Sequence, residues 1–370
     1  MEPLIYVYRE EDGRKFVETA RDASIMALYF IGSTKTSTIP GVSVAGASPE
    51  STLYTPTADV EYLVYGKPIS TKYIPVTPEG IPTPALITRA ALETAEIPFL
   101  IVDAGSYIKP KIPHITLPSR IVGNRIDTGN ALPYITAKNL YEEARTLARK
   151  ISHIADIFVL GESIPGGTTT ALGILVALGY NAWGMVSSTG PRNPHDLKRQ
   201  IIESGLEKSR ELPTNDPFRA VSCLGDPVHI SIAGFLAGAL EKGSKVILAG
   251  GTQMAAVLAI AKRNGLDLAN KLIVGTTKWI IDDKSSDIVE LVKMISPEVP
   301  IIAYNYDFSN SPYQGLRYYE QGYVKEGVGA GGTSIAATIV KGVPYTELWE
   351  AVHQEYKKLI EEGYSAIEKE

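Results

Sequence analysis

One stretch constrains the fold of this chain more than any other: residues 156–171, which read DIFVLGESIPGGTTTA. Its first part, residues 157–160, is a short apolar run with the length and composition of a buried strand. A glycine-rich turn follows, and three threonines then lead into an apolar helical pattern. This order of strand, turn and helix is typical of an anion site, because the unpaired N–H groups and the dipole at a helix N-terminus attract phosphate.

The same alternation of strand and helix continues through the second half of the chain. It predicts an α/β fold with a Rossmann-like, mostly parallel sheet and helices on both faces. Earlier in the chain, residues 22–30 fit either a helix or a strand, and residues 33–51 are expected to form an ordered loop close to a pocket. The predicted strands are 157–160, 182–186, 245–248, 271–274 and 300–304, and the predicted helices are 169–178, 195–209, 227–241, 252–264, 286–294 and 345–368.

Composition excludes several classes of function. The 370-residue chain carries a net charge of −5, so no general attraction to nucleic acid or to an anionic membrane is expected. Its single cysteine, Cys223, excludes an internal disulfide, and its five histidines show no metal-ligand spacing. No apolar run is long enough to span a bilayer and no signal peptide is apparent, so a cytoplasmic protein without a bound metal is expected.

Four turns share the glycine-rich layout of the first stretch. In an open parallel sheet such turns gather at the carboxyl ends of the strands, where ligands bind. Four of them together favour a phosphorylated ligand, although each could also be only a tight turn with a helix cap. The four turns span residues 162–170, 187–190, 248–253 and 326–334.

Two glutamates stand out because each begins one of these turns. If the turns face one cleft, Glu162 and Glu326 bracket a ligand, and a partly buried carboxylate can act as a general base near neutral pH. The alternative is that each carboxylate only caps backbone N–H groups in its own turn.

Two common nucleotide motifs are absent or incomplete. No Gly-Lys-Ser/Thr follows any of the turns, which disfavours a P-loop and ATP hydrolysis. Residues 327–332 match GxGxxG but lack a convincing preceding strand, so a dinucleotide-dependent oxidoreductase is the less favoured alternative.

The order GESIPGGTTTALG, SSTGP, LAGGTQ and EGVGAGG resembles the nicotinate-nucleotide–dimethylbenzimidazole phosphoribosyltransferases of cobalamin nucleotide-loop assembly, in particular their archaeal branch. The resemblance implies transfer of phosphoribose from nicotinate mononucleotide to a benzimidazole-type base, giving α-ribazole phosphate and nicotinate without a cofactor. It implies that Glu326 is the catalytic base, with Lys325 in place of a glycine, and that Glu162 is the second acidic residue.

The resemblance also implies a set of phosphate- and ribose-binding residues. A lysine of the family that lies on the helix after Thr-Gly has Lys198 and Arg199 as its nearest counterparts, with the register between them open. The implied binding residues are Gly166, Gly167, Thr168, Thr169, Gly190, Gly251, Thr252 and Gly329.

The resemblance further implies a homodimer in which a large α/β domain, residues 31–342, is joined by a small helical subdomain from residues 1–30 and 343–370. One departure concerns the acceptor: the bacterial Lys-Pro-Pro-Gly-Ser-Leu-Gly segment near the base pocket has no counterpart here. The acceptor base therefore stays open, and adenine is one alternative. A nucleotide-binding sensor that has lost turnover is the other alternative function.

Overall fold

The computed structural model describes residues 2–46, 48–71, 75–77, 79–209 and 215–367, with side chains described as far as residue 361. Within these ranges the chain forms one eight-stranded sheet flanked by helices. The strands are β1 Leu4–Tyr8, β2 Ile25–Gly32, β3 Phe99–Gly105, β4 Ile115–Thr116, β5 Ile157–Ser163, β6 Lys245–Ala249, β7 Leu272–Thr277 and β8 Ile301–Tyr304.

The helices follow the strands in the order expected of an α/β fold. Their bounds are α1 Glu10–Ala20, α2 Thr55–Tyr65, α3 Ala85–Ala95, α4 Tyr134–Ile151, α5 Gly167–Ala177, α6 His195–Lys208, α7 Pro217–Leu224, α8 Pro227–Glu241, α9 Met254–Arg263, α10 Lys278–Asp282, α11 Ile288–Ile295, α12 Gln314–Glu320, α13 Ala330–Lys341 and α14 Tyr345–Ile367. No helix within the described residues is both long and apolar enough to cross a membrane.

The strand order places a topological switch point at the centre of the sheet. The order is β1-β8-β7-β6-β5-β2-β3-β4, and every neighbouring pair is parallel except β1 with β8. The chain therefore runs outward in one direction from β2 through β4 and in the other direction from β5 through β8. The crevice outside the carboxyl ends of β2 and β5 is where an open sheet of this kind binds its ligand.

Both faces of the sheet are covered, as the apolar strands predict. Side chains alternate across a strand, so Leu28 and Phe30 of β2 join the core beneath α4, α8 and α9. Tyr29 and Ile31 join the opposite core beneath α3, α13 and α14. The predicted α/β class with a mostly parallel sheet is confirmed, and the stretch 22–30, left open between helix and strand, contains a strand from residue 25 onward.

One predicted strand is wrong. Residues 182–186 form turns rather than an extended segment, with hydrogen bonds from the Ala182 amide to the Tyr180 carbonyl and from the Met185 amide to the Ala182 carbonyl. Gly184 lies in the left-handed region at φ 75°, which breaks an extended backbone. Ala182 and Val186 are nevertheless buried, so their apolar character reflects core packing and not sheet pairing.

The chain ends pack on this same sheet. Residues 1–30 contribute β1 and most of β2, while α1 covers part of one face. At the other end, α14 packs against α3. The division into residues 31–342 and a small subdomain from 1–30 and 343–370 stays a prediction.

Candidate active site

The first glycine turn lies at the switch point. Glu162 is the second-last residue of β5, and Gly166, at φ 78°, is the N-cap of α5. A Cβ atom at Gly166 would lie 3.2 Å from the Cα of Ser37, so a larger residue would press on the backbone of the 33–51 loop. The 33–51 loop therefore lies against the first glycine turn, and its closeness to a ligand pocket stays a prediction.

The other three glycine turns meet the first one. Backbone and hydroxyl groups join them directly across large separations in sequence, which makes the four turns one contiguous surface. The joining hydrogen bonds run from the Val328 amide to the Glu162 carbonyl (2.9 Å), from the Ser187 amide to the Thr252 hydroxyl (2.9 Å) and from the Val324 amide to the Thr189 carbonyl (2.7 Å).

Glu162 is buried at the centre of this surface. Its Oε1 accepts a 2.7 Å hydrogen bond from the side-chain amide of Gln253, which lies on the third turn. Burial raises the pKa of Glu162, and the charge of His229 and the bond from Gln253 only partly oppose this. Glu162 is thus held by a partner outside its own turn.

Glu326 is half-buried and caps the helix that follows it. Its carboxylate accepts hydrogen bonds from the Gly327 amide (3.1 Å) and the Gly331 amide (3.2 Å). Burial outweighs these bonds and, together with the nearby charge of Glu162, raises the pKa of Glu326 to about 8. The capping role considered from the sequence is present, and the same carboxylate has the proton affinity of a general base near neutrality.

The backbone around Glu326 is strained. Val324, Lys325 and Val328 have φ values of 62°, 65° and 52°, in a region that costs residues with a Cβ about 1–2 kcal/mol each. Such strain persists only where surrounding contacts hold it, and it clusters at functional sites. The contacts of Val324 and Val328 with the Thr189 and Glu162 carbonyls are among those that hold this segment.

The two candidate cations on α6 lie in different surroundings. Lys198 is buried, and its Nζ donates to the Ser187 carbonyl (2.5 Å) and the Thr168 hydroxyl (3.3 Å). Burial, reinforced by the charge of Lys325, lowers the pKa of Lys198 to about 7. Arg199 instead stacks its guanidinium on the ring of Trp183 at 4.5 Å and is exposed to solvent.

A buried Asp226–His229 pair lies beneath the first turn and was not identified from the sequence. The Nδ1 of His229 is 2.5 Å from Asp226 Oδ2, and the Thr170 hydroxyl donates to the same oxygen at 2.6 Å. A Cβ atom at Gly167 would lie 3.6 Å from His229 Cε1. His229 Nε2 is buried without a hydrogen-bond partner among the described residues. The Asp-Pro that starts α8 is the sequence signal for the cap, but nothing in the sequence marks the His as its partner.

Asp59 brings the N-terminal part of the chain to the site. Its carboxylate accepts hydrogen bonds from the hydroxyls of Ser163 and Thr83, both at 2.7 Å. Burial raises the pKa of Asp59 to about 6 despite these two bonds. Because Ser163 follows Glu162, α2 is fixed directly to the residue next to the central carboxylate.

The predicted phosphate- and ribose-binding residues fall into two groups. Thr168 is half-buried and faces Lys198, whereas Thr169 is fully buried and its hydroxyl has no partner among the described residues. Thr252 is also buried, and its hydroxyl holds the second turn. The remaining glycines lie in the turns: Gly167 begins α5, Gly190 ends the second turn, Gly251 follows β6, and Gly329, at φ 72°, is the N-cap of α13.

The fold and these turns define a class of protein: an open α/β sheet with four glycine turns joined at its switch point, where such sheets bind ligands. A phosphoribosyltransferase family (DBI_PRT) matches residues 88–277. UPF0284 proteins of Aeropyrum pernix and Sulfolobus acidocaldarius are 48% and 45% identical, covering 93% and 90% of this chain and 95% and 94% of their own length. The chain belongs to this phosphoribosyltransferase family, together with the archaeal UPF0284 proteins.

A solved structure supports the fold. The nicotinate-nucleotide-dimethylbenzimidazole phosphoribosyltransferase from Thermus thermophilus superposes with a TM-score of 0.61, covering 96% of this chain and 92% of its own. The sequence identity is 14%, so this likeness concerns the fold alone. The family resemblance stated from the four motifs is confirmed.

Proposed function

We propose that this protein transfers phosphoribose from nicotinate mononucleotide to a nitrogen of an aromatic base of the benzimidazole type. The observation that carries the proposal is Glu326, a half-buried carboxylate with a raised pKa that lies on a surface of four glycine turns. The acceptor N–H gives its proton to Glu326 while the nitrogen attacks the anomeric carbon. The bond from that carbon to the nicotinate nitrogen breaks, and nicotinate leaves with the bonding electrons.

The other site residues suit the remaining requirements of this reaction. The transition state carries positive charge on the ribose, which the ionised carboxylate of Glu162 would stabilise. The N–H groups of Gly166, Thr168, Gly190 and Gly251, two of them at the N-terminus of α5, are proposed to hold the 5′-phosphate, and Lys198 offers a cation. We place the acceptor base beside Asp59, because this residue brings the N-terminal part of the chain next to Glu162.

The direct test is nicotinate release from nicotinate mononucleotide, measured with a panel of benzimidazoles and purines. We expect release that depends on one base, which identifies the acceptor. Binding of the mononucleotide without release in the presence of any base would contradict the transferase and indicate a nucleotide-binding sensor. Sedimentation of the purified protein tests the accompanying proposal of a homodimer.

Lys198 should be required for binding of the mononucleotide, whereas Arg199 should not. Lys198→Met removes a buried ammonium group from the turns, and a lost charge-assisted hydrogen bond weakens binding by about 10- to 100-fold. Arg199→Met is the matched control, because it changes the neighbouring cation, which is exposed and contacts Trp183 instead of the turns. Calorimetric titration with nicotinate mononucleotide measures both, and equal losses in the two variants would contradict the assignment.

A further inference from the structure

Lys325 is a buried cation at the junction of three loops. Its Nζ donates to the Gly190 carbonyl at 2.9 Å and lies 3.2 Å from Asp283 Oδ2. Its own carbonyl accepts a hydrogen bond from the Thr277 hydroxyl at 2.5 Å. The residue is held in this place although its φ of 65° suits the glycine that the family resemblance puts at this position. Lys325 thus places its ammonium group on the second glycine turn from a strained backbone position.

The charges around Lys325 do not balance. Lys198 and Lys325 are both buried. Among the described residues, Asp283 is the carboxylate that pairs with Lys325 and whose charge also acts on Lys198. Burial works against the charge of Asp283, but hydrogen bonds from Ser285 and Ser187 and the charge of Lys325 lower its pKa to about 2. When Lys198 is protonated, two ammonium groups share one carboxylate and the cluster lacks one negative charge; an anion bound beside both amines would supply that charge.

Each amine, when protonated, also keeps an unused donor. A lysine ammonium has three N–H donors. Lys198 directs two of them to Ser187 and Thr168, and Lys325 directs two to Gly190 and Asp283, within the described part of the chain. The Ser187 hydroxyl donates to Asp283 Oδ2 at 2.8 Å, so one short loop connects the two lysines. Missing negative charge and free donors thus occur together beside the 187–190 turn.

We propose that Lys325 is a phosphate-binding residue, and that its ammonium group and that of Lys198 together hold the phosphate monoester of a phosphoribosyl substrate at the 187–190 turn. A phosphate monoester supplies the missing negative charge and several acceptor oxygens, which a neutral riboside cannot do. The proposal rests on the proposed function for the identity of the substrate. It adds that discrimination for the phosphorylated nucleotide over its riboside depends on Lys325.

The test compares nicotinate mononucleotide with nicotinate riboside by calorimetric titration of the full chain. We expect Lys325→Met to weaken binding of the mononucleotide by about 10- to 100-fold and to leave binding of the riboside within about twofold. Lys284→Met is the matched control, because Lys284 is exposed next to the same Asp283 loop, and it should bind both compounds like the wild type. Unchanged mononucleotide affinity in Lys325→Met would overturn the proposal.

A second variant and a second probe keep the outcome decisive. Lys325→Gly removes the amine but also relieves the left-handed backbone, which offsets part of the cost of leaving Asp283 without its ion pair; it should therefore be more stable than Lys325→Met and show the same loss of mononucleotide affinity. Ribose 5-phosphate separates the two proposals. If nicotinate is never released but ribose 5-phosphate still binds more weakly to both Lys325 variants, the transferase fails and the phosphate site stands. If nicotinate is released and both variants bind the mononucleotide like the wild type, the phosphate role of Lys325 fails and the transferase stands.

Discussion

Glu326→Gln is expected to lower the rate of nicotinate release by about 100- to 10,000-fold, the usual contribution of a positioned general base. Glutamine keeps an acceptor for the Gly327 and Gly331 amides but cannot take the proton of the acceptor base. Binding of nicotinate mononucleotide should remain, because its phosphate is expected at the turns and lysines. Single-turnover kinetics and calorimetric titration separate these two effects.

The pKa of Glu326 also fixes the sign of two pH dependences. The carboxylate must be ionised to accept a proton, so kcat/KM of the wild type should rise with pH and level off above about 8. Stability should change in the opposite sense. The carboxyl is neutral in the folded and unfolded chain below pH 4.5, and between pH 4.5 and about 8 only the unfolded chain ionises fully, which lowers the free energy of unfolding. Glu326→Gln should therefore melt at a higher temperature than the wild type at pH 8 and at a similar temperature at pH 4.5.

Glu350→Gln serves as the control for these measurements, because Glu350 is exposed on α14. It should retain the activity and the melting profile of the wild type. A Glu326→Gln variant with undiminished nicotinate release would remove Glu326 from the mechanism. A variant that is inactive and also unable to bind the mononucleotide would show instead that the helix cap, and not the base, had been lost.

How much of the fold the sequence predicts depends on how each strand is buried. The four apolar runs that became β5 to β8 were predicted, because each is short and ends in turn residues. Strand β2 could not be distinguished from a helix, since it is apolar along its whole length and buried on both faces. The wrong strand at 182–186 has the opposite cause: its apolar residues are in the core, but Gly184 bends the backbone.

The sequence predicts those parts of the site that depend on neighbouring residues and misses those that depend on contacts between distant residues. Glu162 and Glu326 were identified because each begins a glycine turn, a relation within a few residues. The contact of Lys325 with Gly190 spans 135 positions, and that of Thr170 with Asp226 spans 56. No local pattern encodes such contacts, which arise only when the sheet brings its carboxyl-terminal loops together.

The largest effect on stability is expected for Asp226→Ala. The Asp226 carboxylate accepts hydrogen bonds from the Val228 and His229 amides and the Thr170 hydroxyl, and it pairs with His229 Nδ1 at 2.5 Å. Removing it leaves a buried imidazole and buried donors without their partner, which costs about 3–5 kcal/mol of unfolding free energy. Urea unfolding monitored by circular dichroism measures the change.

Asp216→Ala is a matched control within the same chain, because Asp216 also precedes a proline and accepts hydrogen bonds from two amides at the start of a helix, α7. It is only half-buried, and its other oxygen accepts from the Tyr134 hydroxyl rather than from a histidine, so losing the cap should cost about 1 kcal/mol. Equal losses in the two variants would show that Asp226 acts only as a helix cap and that its pairing with His229 contributes little.

The pairing itself should be visible in the pH dependence of the difference between wild type and Asp226→Ala. Burial disfavours the charged form of both groups. The opposite charge of the partner and the hydrogen bond between them outweigh burial in each case, so the pKa of His229 is raised and that of Asp226 is lowered. The stabilisation that comes from His229 is complete below pH 6.5 and is lost as the pH rises through the raised pKa of the folded state. The stabilisation that comes from Asp226 is complete above pH 3.8 and is lost as the pH falls through the lowered pKa of the folded state. The difference should thus be largest between about pH 4 and 6.5 and shrink on both sides.

Glu162, the other carboxyl whose charge acts on His229, also favours the imidazolium, so Glu162→Gln should move the upper edge of this window to lower pH. A difference that does not vary with pH would mean that the imidazole is neutral in the folded protein and that the pair is an uncharged hydrogen bond.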